Sequence, residues 1–377
     1  MASIALGYGQ GVASEHAHDV RGARKRSLLT EADPDFRALL DELARDGEKR
    51  AFVFANFTVT HSPYHKQLER AALEGFLARF PARSRGVTAA ELDRWLPFYE
   101  EHRLALQWDH PAAVARLGLA PEELERLAAV LEVTYAACVA QLDAQFGALL
   151  AALRARGLED ETLLAFTADH GELLWRENAL FQWTHGLELV PEVLDVPWIV
   201  RMPGLAPASY AGVTRSIDVH PTLAGLCAIS LRGAPLEGID LAPALRGERP
   251  PPELMAYSHT TTLSAEHLES FRGLELVTRL FPRTDPNLIW TRVRKSDLVA
   301  KRLSRDGERF ALEVFDLARD PGEAHDLRDP SSREEAELDA ELERYQARLV
   351  EGFEQRGGEE LSTDERLERL RALGYVR

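Results

Sequence analysis

"ETLLAFTADHGELLWRENALFQWTHG", residues 161–186, decides how this chain is read. An apolar run, Leu163 to Phe166, gives way at once to Asp169, His170 and Gly171. A second His-Gly pair, His185 and Gly186, follows one loop later. A short apolar run bounded by turn residues reads as a strand. Ligands in open α/β sheets bind beyond the carboxyl ends of strands, and an acid with an imidazole there can hold a metal. Asp-His-Gly is also ordinary turn chemistry. Taken alone, Glu172 reads as a cap for a helix N-terminus.

Upstream, "KRAFVFANFTVTHSPY", residues 49–64, reads as another strand, Ala51 to Phe57, that runs on to His61. Two strand ends bearing metal-competent groups form a constellation, where one alone is noise. The donor set suits a divalent cation, and an imidazole moves the preference from calcium toward manganese or zinc.

The segment from Pro121 to Gly157 has apolar residues at three- and four-residue spacing. Pro sits at its start and Gly at its end, as helix termini favour. "PDFRALLDELAR", residues 34–45, predicts a short amphipathic helix, and residues 66–118 read as mixed helix and loop. Past the site come a strand, "VPWIVRMPG", and a helix around "DVHPTLAGLCAI". Alternation of apolar strands with helices predicts an α/β fold, a mainly parallel sheet flanked by helices. From about residue 253 the pattern becomes alternating. "ELMAYSH", "GLELVTRLF", "NLIWTRVRKSDLVAKRL" and "RFALEVFDL" predict antiparallel strands, before a charged helix from Ser332 to about Gly358. The expected organisation is an α/β domain, residues 1–250, and a C-terminal antiparallel α+β subdomain, residues 251–377.

Composition sets limits. With 377 residues, 45% hydrophobic and 28% charged, the chain reads as globular. A net charge of −16 argues against nucleic acid or an anionic membrane as partner. Of 45 basic residues only five are lysine, and Lys295 and Lys301 read as solvated strand residues. Cys138 and Cys227 lie in apolar helical contexts and read as buried free thiols, not a disulfide framework. No apolar run approaches the roughly 18–20 residues of a membrane span. "MASIALGYGQGVASEHAHD" has no basic segment ahead of its apolar stretch, so the sequence as written predicts a cytoplasmic location.

Taken in order, these segments resemble the sulfatase family of the alkaline-phosphatase superfamily. "FANFTVTHSPY" is similar to a family strand ending in Pro-His-x-Pro-Tyr. "AQLDAQFGALLAALRARGLEDETLLAFTADHGE" resembles its helix, Gly-Leu-x-Asp-x-Thr turn, strand and Thr-x-Asp-His/Asn-Gly-Glu loop. "DVPWIVRMPG", "SIDVHPTLAGLCAI", "LEGIDLAPALRG", "VFDLARDPGEAHDL" and the ending "RLRALGYV" resemble later family segments, so the likeness runs from about residue 50 to 377.

The resemblance implies roles. Asp169 and His170 match the family's second pair of ligands for a divalent metal, calcium or manganese. Where the family often has Asn, His170 is similar to the manganese-using phosphonate monoester and phosphodiester hydrolases. His61 matches the histidine that helps protonate the leaving oxygen. His185 falls where a Lys or His contacts the substrate anion. The implied substrate is a small-molecule or glycan sulfate ester.

Two family features are absent from these 377 residues: a strand ending in paired aspartates, and Cys/Ser-x-Pro-x-Arg, which supplies the formylglycine nucleophile. Covalent catalysis requires an activated nucleophile. The expectation is therefore an incomplete copy of a family enzyme, inactive by itself, with a non-catalytic binding relative as the alternative.

Overall fold

A computed structural model of the protein describes residues 34–47, 51–55, 57–176, 181–185, 189–231, 236–260, 289–305 and 308–356. Their contacts divide them into two units. One takes the described residues up to Glu100, Glu122–Thr162 and the chain from Phe353; the other takes Glu101–Pro121 and Leu163–Gly352.

The first unit is helical. Its elements are α1 (Pro34–Arg45), α2 (Arg70–Arg79), most of α3 (Ala89–Trp108) and α5 (Pro121–Ala155). Between the last two runs α4 (His110–Leu117), of the second unit. A capping box starts α3: Glu91 N–H donates to Thr88 Oγ1, and Thr88 N–H donates to the Glu91 carboxylate. Pro121, Glu122 and Glu123 open α5, and Gly157 lies just beyond it at φ +69°, a left-handed conformation that glycine adopts without strain. Leu127, Val130, Leu131 and Cys138 of α5 are buried. The Cys138 thiol donates to Tyr64 O at 3.4 Å, and Tyr135 meets the Tyr64 ring edge-on. Ion pairs Arg126–Glu91 and Arg94–Glu123 join α5 to α3.

By length and composition α5 is apolar enough to cross a membrane, with a mean hydropathy of 1.5 over its best window. Uninterrupted apolar residues do not form that window; Gln141, Asp143 and Gln145 break the run. That window is 22% buried; the buried residues of α5 lie mostly in its first half, Leu127 to Cys138.

Among the described residues the expected strand Ala51–Phe57 does not form. Residues 51–55 have no strand geometry, and Phe52, Val53 and Phe54 are exposed. A strand is stable only as one of a hydrogen-bonded set, so β-rich composition does not create one alone.

The second unit holds the strands. β1 (Leu164–Thr167) pairs with β2 (Trp198–Arg201), from Leu164 opposite Arg201 to Thr167 opposite Trp198. The pairing is antiparallel, so these two strands do not by themselves form the mainly parallel sheet expected from the sequence. Parallel neighbours need a crossover, usually a helix of a dozen or more residues. Among the described residues, the link from β1 to β2 has only α6 (Pro191–Leu194), a single turn. Both strands also keep an exposed face; Ile199 is 61% exposed.

Helices α7 (Ser216–Leu226) and α8 (Ala242–Leu245) follow. Cys227 closes α7 and is exposed, contrary to the buried thiol expected, whereas Cys138 is buried. The antiparallel texture expected after residue 253 is present. β3 (Met255–Thr260), β4 (Ile289–Lys295), β5 (Leu298–Arg305) and β6 (Glu308–Arg309) adjoin in that order, and β7 (Glu313–Asp316) pairs with the other part of β5. A two-residue loop joins β4 to β5, with Ser296 at φ +52°. "GLELVTRLF" lies outside the described residues. α9 (Arg333–Arg356) contributes Leu338 and Leu342 to a core with Val293, Ala300, Leu312 and Val314. Lys301 is not a solvated strand residue: its side chain is 12% exposed, near Glu313 and Glu323.

Candidate active site

The chain leaves β1 at Thr167 and turns through Asp169, His170 and Gly171. Gly171 N–H donates to Val193 O at 2.7 Å. A β-carbon at Gly171 would overlap the backbone carbonyl of Glu192, so only glycine permits this approach. Leu173 and Thr184 then form an isolated antiparallel bridge, each N–H donating to the other's carbonyl, at 3.1 and 3.2 Å. Leu173 packs with Val190 and Val193 in a small buried cluster.

Segment 181–185 is fastened from α3. Gln182 N–H donates to Gln107 O at 3.2 Å, and the Gln107 amide donates to Trp183 O. Trp183 is fully buried and holds φ +50°. Its ring lies against Trp175 and His110, and Phe181 meets Trp108. Arg176 binds Glu192 at 3.2 Å and donates to the carbonyls of Gly322 and Glu323. The loop that carries the site is thus tied to the Asp-Pro-Gly-Glu segment, a link that no local sequence signal announces.

These anchors bring three candidate residues together and add a fourth. The Asp169 side chain is 87% exposed, and its Oδ1 accepts the His170 N–H at 3.0 Å. His170 Nδ1 donates to Gly171 O at 2.8 Å. A neutral His170 then carries its lone pair on Nε2, which lies 3.6 Å from Asp169 Oδ2. His185 stacks on His170, with ring centroids 3.8 Å apart and an interplanar angle of 24°. Among the described residues Glu172 caps no helix, contrary to the sequence reading. Its carboxylate is 5% exposed, and Oε2 accepts from His185 Nδ1 at 3.2 Å. The signal that could have marked Glu172 is spacing: it stands two residues after His170, the separation that places side chains on one face of an extended chain.

The Asp169 carboxylate and the His170 Nε2 form a donor pair of the type that holds manganese or zinc. They are two groups only; among the described residues no group of three or more His, Cys, Asp or Glu is arranged for a metal ion.

His61 belongs to the other unit. It is exposed, and its Nδ1 donates to Ser62 O at 2.6 Å. Its N–H donates to Thr58 O at 3.0 Å, which makes a tight turn. Behind it Tyr64 is fully buried, and His65 Nε2 lies 3.0 Å from Glu100.

The family profile for sulfatases matches residues 21–229. The chain belongs to the sulfatase family. It is 34% identical over 127 residues to choline-sulfatase of Rhizobium meliloti, covering 33% of this chain and 24% of that protein. It is 30% identical over 199 residues to arylsulfatase A of Bos taurus, covering 50% and 38%. The matched stretches thus span well under half the length of these relatives. A crystal structure from Bacteroides fragilis, yidJ, described as a sulfatase, superposes with a TM-score of 0.57 at 14% identity, covering 82% of this chain and 56% of that one. That likeness shows an alkaline-phosphatase-like α/β fold. Family members are in general dependent on divalent metals.

Proposed function

We propose that this chain carries part of the active site of a metal-dependent hydrolase of sulfate esters, small-molecule or glycan. The observation that supports this reading is the convergence of Asp169, His170 and His185 beyond β1, inside the stretch that matches the family. Asp169 and His170 would hold the cation, which when bound polarises the ester and offsets developing negative charge. His185 would contact the anionic oxygens. His61 would donate a proton to the leaving oxygen. The mainly parallel central sheet of the sequence reading belongs to this proposal too.

The nucleophile is the component these residues do not provide, so the chain by itself is expected to have no turnover. The test is nitrophenol release from an aryl sulfate, with manganese or calcium added, alongside manganese binding followed by electron paramagnetic resonance. Binding that is lost in Asp169→Ala, without nitrophenol release, fits the proposal. Turnover abolished by Asp169→Ala would refute the inactivity and demand a nucleophile other than formylglycine. Absence of any manganese or calcium binding would refute the metal assignment.

His170 favours a second reading, hydrolysis of phosphonate monoesters or phosphodiesters, because an imidazole stands where sulfatases often have Asn. The same assay with phosphonate and phosphodiester esters separates the two. A non-catalytic binding protein is the reading left if esters bind and none is cleaved.

A further inference from the structure

The pairing of Glu172 with His185 follows from the backbone between them. Leu173 and Thr184 exchange both of their hydrogen bonds. In an antiparallel ladder the next pair outward is non-hydrogen-bonded, with its side chains closest together. Here that pair is Glu172 and His185. His170, two residues before Glu172, falls on the same side and stacks on the His185 ring at 3.8 Å.

Burial makes this pairing chemically selective. The Glu172 side chain is 5% exposed, and Oε2 meets His185 Nδ1 at 3.2 Å. Among the described residues its other oxygen, Oε1, is buried without a hydrogen-bond partner. A buried carboxylate with so few compensating contacts is costly. A role confined to packing would be met by Leu or Met at no such cost. An ionised carboxylate only accepts, so His185 must keep a proton on Nδ1 to satisfy it.

We propose that Glu172 is a positioning residue: its buried carboxylate holds His185 with a proton on Nδ1 and its ring against His170, and so confines the ring's dealings with a bound ester to Nε2. The inference deepens the hydrolase reading above and rests on it for the nature of the ester. Glu172 itself touches no substrate; it sets the tautomer and angle of the group that would, as a second carboxylate commonly does for an imidazole.

The test is a two-bond proton–nitrogen correlation spectrum of the full chain labelled with 15N-histidine, free of added metal, at a pH above the imidazole range. The His185 signals are assigned by their loss in His185→Gln. The wild type is expected to show the Nδ1–H tautomer. Glu172→Gln, whose amide oxygen still accepts, is expected to keep it. Glu172→Leu is expected to lose it in favour of the Nε2–H form that free imidazole prefers. A wild-type His185 in the Nε2–H form overturns the proposal, as does a Leu variant that keeps Nδ1–H. If Glu172→Leu fails to fold, the wild-type tautomer still decides. Because this readout needs no turnover, an inactive chain leaves it intact, and a failed tautomer leaves the hydrolase reading intact.

Discussion

Arg292 Nη2 lies 2.7 Å from Glu323 Oε1, with the two side chains 3% and 0% exposed. Lys301 Nζ stands 3.7 Å from the other oxygen of Glu323. Glu323 also holds φ +49°, and its carbonyl accepts from Arg176 at 2.9 Å. The glutamate of the Asp-Pro-Gly-Glu segment is therefore a buried charge whose backbone helps hold the site loop. Removing one partner from such a pair strands the other, whereas replacing both with apolar groups is often close to neutral. Arg292→Met is expected to cost about 3–5 kcal/mol in urea unfolding. Arg292→Met with Glu323→Leu is expected to recover much of that loss. Additive losses would mean the two charges are not coupled.

Gly171 makes a second prediction, this one about space. A side chain there meets the backbone carbonyl of Glu192, which cannot rotate away. Gly204 offers a contrast, since nothing lies near the β-carbon it would gain, although its φ of +85° disfavours L residues. Gly171→Ala is expected to lose about 1–3 kcal/mol by overpacking and to weaken manganese binding, because Asp169 and His170 directly precede it. Thermal melts and a manganese titration read the two effects. An unchanged manganese affinity with a lowered melting point would separate the fold from the site.

Acid stability should carry the mark of Glu91. Arg126 Nε donates to its carboxylate at 2.6 Å and Thr88 adds two bonds at 2.9 Å. The Arg126 bond foremost, against some desolvation, holds the Glu91 pKa at about 2, below its ordinary 4.5. A depressed carboxylate stabilises the fold fully above its unfolded pKa and loses that contribution as pH falls through the folded one. The loss therefore spans pH 4.5 down to about 2. Glu91→Gln should melt below the wild type at neutral pH, and the gap should close across that window. A constant gap would show that the ion pair contributes nothing.

His110 acts at milder pH. It is buried, its Nδ1 donates to Leu106 O at 3.1 Å, and its ring meets Trp175 and Trp183. Burial foremost pushes its pKa below the ordinary 6.5, against the pull of the Leu106 carbonyl. The unfolded chain therefore takes up a proton that the folded chain refuses, and stability falls as pH drops below 6.5. His110→Phe keeps the aromatic contacts and removes the titration. The melting point of this variant should gain on the wild type as pH falls from 6.5. Parallel pH profiles would exclude His110 as a source of the dependence.

Much of the fold was readable because its causes are local. In α1, α5 and α9 hydrogen bonds run four residues along the chain, so spacing, Pro121 and Gly157 marked the helices without knowledge of neighbours. Asp169 and His170 were legible for the same reason: a strand end, an acid, an imidazole and a glycine lie within a few residues. What the tertiary structure alone decided depends on partners distant in sequence. Residues 51–55 have strand composition but stay exposed, since strand hydrogen bonds must come from another segment. β1 has β2 as an antiparallel neighbour, and among the described residues a loop and one helical turn, not a crossover helix, join them. Cys227 became exposed where its α-helix stops. Glu172 became the partner of His185 through a single bridge, Leu173 to Thr184, that sets residues thirteen positions apart side by side. Composition and periodicity report what a segment can form; which residues then meet is set by backbone pairing and burial across the chain.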